Sequence, residues 1–290
     1  MATDGTGSRG TRGTRYGSQR VTAATSKERL DNLLVECGLA ESRSRAQGMI
    51  LAGSVRVGGE VVTKSGSRHT GDAEISVEER SPYVSRAGEK LAGALDEFGV
   101  EVGGRDCLDA GASTGGFTDV LLQRGASRVI SADVGYGQLD WSLRNDPRVE
   151  VLERTNIRYL SVRDLPFEPD LLVGDLSFIS LPVALAGVAG SAENLREMVL
   201  LVKPQFEAGP EQVGRGGVVR DPLARAAAIT RVAEEFERLG FGAVDLTRAS
   251  VTGRRSGNQE YPLRLLRGSG RTLTAERISE ISEISEAVQG

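Results

Sequence analysis

The chain has 290 residues, 39% apolar and 26% charged, with a net charge of −4, enough for one large α/β domain and a small module. The longest weakly polar stretch, Leu181 to Gly190, is broken by Pro182 and two glycines, which excludes a run of eighteen apolar residues and a hydrophobic membrane-spanning helix. A single histidine, His69, excludes Ser-His and Cys-His catalysis, and the isolated Cys37 and Cys107 argue against a disulfide or a metal site.

Met1 to Ser26 is built from Gly, Thr, Ser and Arg and is expected to be a disordered leader. It lacks the apolar core of a secretory signal, so a cytoplasmic location is expected. Charge is unevenly shared. Residues 1–70 carry eleven Lys/Arg against six Asp/Glu, and the other 220 carry 25 against 34. Phosphate binding needs local positive charge, which points to the amino-terminal part.

Residues 27–80 read as a compact α+β unit. Leu30, Leu33, Leu34 and Cys37 recur at helical spacing before Gly38, and Ser42 is placed to cap a second helix with Ala46, Met49 and Ile50 on its apolar face. Val55 and Val57, the turn Gly58-Gly59, and Val61-Val62 read as a hairpin. Arg29, Arg43, Arg45, Arg56 and Lys64 are its expected exposed cations, of which Arg29, Arg43, Arg45 and Lys64 are RNA-binding candidates. The string from Arg29 to about Lys64 resembles the RNA-binding domain first described in small-subunit ribosomal protein S-four. That resemblance implies that its helix-borne arginines face RNA.

After a linker at 81–84, residues 85–268 alternate strands and helices. Strands are predicted at Cys107–Ala110, Val129–Ala132, Val149–Leu152, Leu171–Gly174, Met198–Val202, Ala243–Leu246 and Tyr261–Leu266, and helices notably at Lys90–Phe98, Phe117–Arg124 and Pro222–Leu239. Alternation of this kind calls for a mainly parallel, Rossmann-like sheet covered on both faces, with ligands at the carboxyl ends of its strands. Residues 269–290 form a tail whose Leu273, Ile278, Ile281, Ile284 and Val288 suit a packing helix.

The segment Asp109 to Phe117 follows the first predicted strand and opens a helix. Its glycines fall at 111, 115 and 116, outside the Gly-x-Gly-x-x-Gly order of a pyrophosphate loop. Asp109 would sit badly beside phosphates but could serve a cationic ligand. S-adenosylmethionine (SAM) is therefore favoured over a nicotinamide dinucleotide, with Asp109, Gly111, Ser113, Thr114, Gly115, Gly116 and Phe117 around it. Asp133, ending the second strand, is placed for the ribose hydroxyls, a role common to SAM and NAD folds. Asn156 could reach the adenine.

Four further residues gather at strand ends: Lys90 opens the helix before the first strand, Asp175 ends the fourth, Lys203 ends the fifth, and Glu260 precedes the last. Methyl transfer from a sulfonium to an alcohol needs an aligned nucleophile and removal of its proton. Lys203 is the candidate base, Lys90 its neighbour and RNA anchor, and Asp175 and Glu260 orient the two lysines, Asp175 also bordering the cofactor. Arg86, Tyr136, Trp141, Arg144 and Arg215 are candidate RNA contacts, with Trp141 equally readable as core. Gly209–Gly217 reads as a mobile loop over the site.

The ordered series SRAGEKL, LDAGASTGGFTDVLLQRGA, ADVGYGQLDWSLRNDPRVEVLERTN, GDLSFISL, LVKPQFE, VGRGGVVRDP and SGNQEY resembles the TlyA family of ribosomal RNA methyltransferases, whose catalytic domain is FtsJ-like with a Lys-Asp-Lys-Glu tetrad. The resemblance implies a SAM-dependent enzyme that methylates the ribose 2′-hydroxyl of cytidine in ribosomal RNA within ribosomal subunits; the sequence does not fix the oligomeric state, with a monomer favoured. The leader and the Ser81-Pro82-Tyr83 linker depart from the family pattern and bear on which subunits are accepted. Two other classes stay open: a membrane-active haemolysin, a label this family carries, and a catalytically silent ribosome-assembly factor.

Overall fold

The computed structural model describes residues 17–19, 27–77, 81–250 and 258–283 and divides after Arg80 into two units. Within the stretch expected to be a leader, Gly17–Gln19 forms strand β1; residues 1–16 and 20–26 lie outside the described residues.

The first unit continues with β2 (Lys27–Arg29), α1 (Leu30–Glu36), α2 (Arg43–Leu51), β3 (Val55–Val57), β4 (Glu60–Val61), β5 (Arg68–Thr70) and β6 (Ile75–Val77). The apolar residues read from the sequence make its core, with Leu30, Leu34, Ala46, Ile50 and Val55 fully buried. Ser42 Oγ accepts the Arg45 N–H at 3.2 Å, capping α2 as expected. The hairpin β3–β4 is present, and β6 and β1 extend it to the order β1-β6-β3-β4, while β2 pairs with β5. Those added strands are three residues each, too short to leave a periodic signal.

The second unit runs α3 (Ala87–Phe98), β7 (Asp106–Ala110), α4 (Gly116–Gln123), β8 (Arg128–Ala132), α5 (Trp141–Arg144), β9 (Val149–Leu152), β10 (Leu171–Gly174), α6 (Leu181–Ser191), β11 (Glu197–Val202), α7 (Pro204–Glu207), α8 (Pro222–Arg238), β12 (Phe241–Leu246), β13 (Tyr261–Arg267) and α9 (Ala275–Glu283). Its seven-stranded sheet has the order β12-β13-β11-β10-β7-β8-β9, and only β13 runs against the rest. Alternate side chains feed two apolar layers: Leu108, Leu172 and Leu200 pack toward α6, α8 and α9, and Cys107, Val173 and Val199 toward α3 and α4. Burial inside that second layer pushes the Cys107 thiol up to about 12, which keeps it an unreactive packing group.

The seven expected strands form with ends shifted by at most two residues. Helix α6 was not singled out in the sequence, where Pro182 and the two glycines were used only to exclude a membrane span. Pro182 sits in the first turn, where its missing N–H costs nothing. Gly187 lets the helix approach the chain below it, since a Cβ there would lie 2.3 Å from the Leu160 backbone oxygen. In the tail, Ile278 and Ile281 of α9 are buried against α8, and Arg225 donates to the Ser282 carbonyl at 2.7 Å. Residues 284 and 288, also expected on that face, lie outside the described residues.

Candidate active site

The carboxyl ends of β7, β8 and β10 surround a cavity of about 540 Å³ walled by Gly111, Ser113, Asp133, Asn156, Asp175 and Phe178, among others. Gly111 forms its floor with φ +88, and a Cβ there would lie 2.8 Å from the Asp175 backbone oxygen, so only glycine suits this turn. Asp133 Oδ2 accepts the Ser113 N–H at 2.8 Å and Oδ1 the Gly135 N–H at 2.6 Å, which fixes the carboxylate at the cavity wall. Asn156 lines the same cavity while its side chain accepts the Arg158 N–H at 3.1 Å. Thr114, Gly116 and Phe117 line a smaller adjoining cavity, and Gly115 opens α4.

Asp109 lines neither cavity, contrary to the expectation of a cofactor contact. It shares the parity of Cys107, so its carboxylate points into the layer occupied by α4. There Oδ2 accepts the Thr118 N–H at 2.9 Å and the Thr118 hydroxyl at 2.7 Å, and burial pushes the group up to about 7. It holds the glycine loop from behind.

The catalytic candidates do come together, as two ion pairs. Lys90 Nζ meets Glu260 Oε2 at 2.5 Å, and Lys203 Nζ meets Asp175 Oδ1 at 2.5 Å while donating to Ser177 Oγ at 2.9 Å. Sheet register explains the convergence. Val202 lies opposite Tyr261, so Lys203 and Glu260 are the next residues outward on antiparallel neighbours, at one edge of the sheet. Asp175 leaves β10 at that same edge, and Lys90 reaches in from the first turn of α3. Lys203 and Glu260 are only 8% and 5% exposed, an environment that strengthens each ion pair relative to water.

Other candidates are placed differently. Arg29 and Arg43 both bind the fully buried Asp31, at 2.8 Å and 3.1 Å, with Gln47 also donating to it at 2.7 Å. The two arginines therefore hold the first unit together as well as facing outward, whereas Arg45 and Lys64 are exposed. Arg144 pairs with Glu153, and Arg86 and Arg215 are exposed. Trp141 is 77% exposed and so is not core, and Tyr136 carries the Arg154 guanidinium 4.2 Å above its ring. Part of Gly209–Gly217 is ordered by a 3₁₀ turn at Pro210–Gln212 and by the Gly214 N–H, which donates to the Val218 carbonyl at 3.0 Å.

Three residues escaped the sequence reading. Ser177 binds Lys203, Phe178 stands 90% exposed at the cavity lip with φ +64 and its ring 5.0 Å from that of Phe206, and buried Glu207 accepts the Leu181 N–H at 2.8 Å. All lie inside GDLSFISL or LVKPQFE, so the motifs were visible while the individual roles were not.

Both units match known protein families. Residues 83–266 match the FtsJ-like methyltransferase model and residues 28–75 the S4 domain model. The 16S/23S rRNA (cytidine-2′-O)-methyltransferase TlyA of Mycobacterium tuberculosis is 48% identical over 256 residues, covering 88% of this chain and 95% of its own length. Hemolysin A of Brachyspira hyodysenteriae is 42% identical, covering 80% and 97%. A solved structure from Streptococcus thermophilus, described as a hemolysin, superposes with a TM-score of 0.68 at 38% identity, covering 89% of this chain and 95% of that one. The chain belongs to the TlyA family of FtsJ-like methyltransferases.

Proposed function

We propose that this protein transfers the methyl group of SAM to the ribose 2′-hydroxyl of cytidine in ribosomal RNA. The observation that carries the proposal is the pair of buried lysine–carboxylate contacts at the sheet edge beside the Asp133 cavity. That cavity falls in the range of about 300–1,000 Å³ usual for small-molecule sites, and its glycine floor leaves room for a ligand against the backbone. Asp133 would hold the ribose hydroxyls of SAM and Asn156 its base end. When bound, SAM supplies an electrophilic methyl on a cationic sulfur.

The chain's own residues then handle the acceptor. Once it has released its own proton to solvent, Lys203 as the free amine takes the proton from the 2′-hydroxyl, and Asp175 holds the ammonium that results. Lys90, fixed by Glu260, anchors the incoming nucleotide. Most of the acceleration comes from alignment of oxygen and methyl. The exposed Phe178 ring suits stacking against a base splayed out of the RNA. Arg45 and Lys64 of the S4-type unit, with Arg86 and Arg144, add phosphate contacts that give affinity without reading sequence. Ribosomal RNA as the substrate rests on the activity named for the relatives and on that unit, and a cytoplasmic site of action follows from it. Among the described residues no helix is long and apolar enough to cross a membrane.

The test is incubation of labelled SAM with separated, unmethylated ribosomal subunits, followed by primer extension. Label in RNA, with extension blocked at a cytidine whose 3′ linkage resists alkali, is the expected result. Label confined to a base, or lysis of membranes without methyl transfer, overturns the proposal.

A further inference from the structure

Residues 214–218 form a short exposed hairpin. The Gly214 N–H donates to the Val218 carbonyl at 3.0 Å and the Gly217 N–H to the Gly214 carbonyl at 3.0 Å, with Gly216 and Gly217 at φ +79 and +74. Arg215 stands exposed at its tip. Three glycines and an exposed arginine bury little apolar surface, so packing alone does not hold the turn in place. Asn258 does. It is 2% exposed, its Oδ1 accepts the Val219 N–H at 3.1 Å, and its Nδ2 donates to the Gly217 carbonyl at 2.7 Å. Those two backbone groups flank Val218 and face one side of the chain, as they would toward a neighbouring strand. A carboxamide offers a donor and an acceptor side by side, so it answers both where an aspartate or a leucine of the same size would not.

The clamp adjoins the ion pairs. Asn258 and Glu260 are both buried, with the partly buried Gln259 between them, on the segment that enters β13. The Glu260 carbonyl accepts the Ala249 N–H at 2.9 Å and Gln259 Nε2 at 3.0 Å. This short segment is therefore fastened at one end to the hairpin and at the other to Ala249, and from it Glu260 Oε2 reaches Lys90 Nζ. A shift of the backbone at 217–219 passes through one amide and one further residue to the carboxylate that fixes Lys90. The hairpin tip bears a cation suited to phosphate, so RNA held there acts on that connection.

We infer that Asn258 is a positioning residue that transmits RNA contact at Arg215 to Glu260 and Lys90. This rests on the RNA-methylation reading of the site. It gives the glycine hairpin a part in the chemical step as well as in binding.

The experiment is a double-mutant cycle on the whole protein, with labelled SAM and unmethylated ribosomal subunits, using wild type, Arg215→Ala, Asn258→Ala and the double variant. Arg215→Ala is expected to raise the KM for RNA and to lower kcat about fivefold, and Asn258→Ala, which removes two hydrogen bonds, to lower kcat about tenfold. Once Asn258 is gone, Arg215→Ala still raises KM but no longer lowers kcat, so the two kcat losses do not multiply. A residue that only stabilises the fold would lower Tm without that non-additivity. Asn258→Asp keeps the size and the acceptor for Val219 but sets an oxygen against the Gly217 carbonyl; it repeats the cycle, so the result does not depend on the folding of one variant. Calorimetric titration with S-adenosylhomocysteine should give the wild-type affinity for every variant. Losses in kcat that multiply in both cycles, or full kcat in Asn258→Ala, overturn the inference while the RNA-methylation reading stands. Wild-type protein that transfers no methyl group to RNA overturns both.

Discussion

Replacing Glu207 with alanine removes a buried carboxylate that ties the loop after β10 to the segment after β11. Glu207 Oε1 accepts the Leu181 N–H at 2.8 Å, at a helix start whose own N-cap, Ser180, makes no side-chain cap bond. Arg231 in turn donates to the Glu207 carbonyl at 3.0 Å. The bonded loop carries Asp175, Ser177 and Phe178, and Glu207 lies four residues beyond Lys203, so the carboxylate helps hold both halves of one ion pair in register. Loss of a cap costs about 1 kcal/mol, and leaving the buried N–H unanswered adds about 1–2 kcal/mol, giving roughly 2–3 kcal/mol in urea unfolding. A loop displacement near 1 Å at the reacting groups costs on the order of a hundredfold in rate. Glu207→Ala is therefore expected to lower kcat about 10- to 100-fold with the KM for RNA nearly unchanged. Glu207→Gln keeps an acceptor oxygen and, since burial pushes the carboxyl up and so works against its charged form, restores most of both losses. Wild-type kcat in the alanine variant, or no rescue by glutamine, refutes the reasoning.

Asp133→Ala removes the group proposed for the ribose hydroxyls and frees the Ser113 and Gly135 N–H groups; S-adenosylhomocysteine should bind about 10- to 100-fold more weakly by calorimetry, and unchanged affinity would move the nucleoside elsewhere. Asp31→Ala unpairs Arg29 and Arg43 and should destabilise the first unit by about 2 kcal/mol, discounted because both arginines reach solvent. Arg29 holds the Asp31 carboxyl well below the usual carboxylate range, so its contribution is complete above the ordinary aspartate pKa and fades as pH falls toward the depressed value; a variant as stable as wild type at pH 7 contradicts this. Asp109 has the opposite sign. Its carboxyl is pushed up to about 7, so the folded state holds a proton the unfolded state has released, and this group's contribution declines as pH rises from about 4 to 7. Wild-type stability should therefore fall relative to Asp109→Asn across that window, by at most about 1.4 kcal/mol per pH unit, and parallel stability curves would remove the assignment.

The strands were legible because their apolar runs are bounded by turn residues, and the strand mouths followed from the alternation with helices. Asp109 was misjudged because chain position marks a strand end without saying which face a side chain takes. One residue of parity turns a ligand contact into a brace for α4. Arg29 and Arg43 were read as free cations because Asp31, the acid that binds both, looks like any exposed aspartate in sequence. Ser177 and Glu207 act through hydrogen bonds across loops, and no periodicity records those. The convergence of the four candidates was readable because Asp175, Lys203 and Glu260 each flank the end of a different strand and Lys90 lies on the helix before the first.

The central claim is that Lys203, paired with Asp175 and neighbouring Glu260 across the sheet, takes the proton of a ribose hydroxyl. Single-turnover transfer from labelled SAM to unmethylated subunits, run with wild-type protein and Lys203→Ala at saturating cofactor and RNA, addresses it directly. The account predicts 2′-O-methylcytidine from the wild type and a loss of at least a hundredfold in the variant, with both ligands still bound. A variant that transfers methyl at the wild-type rate contradicts it.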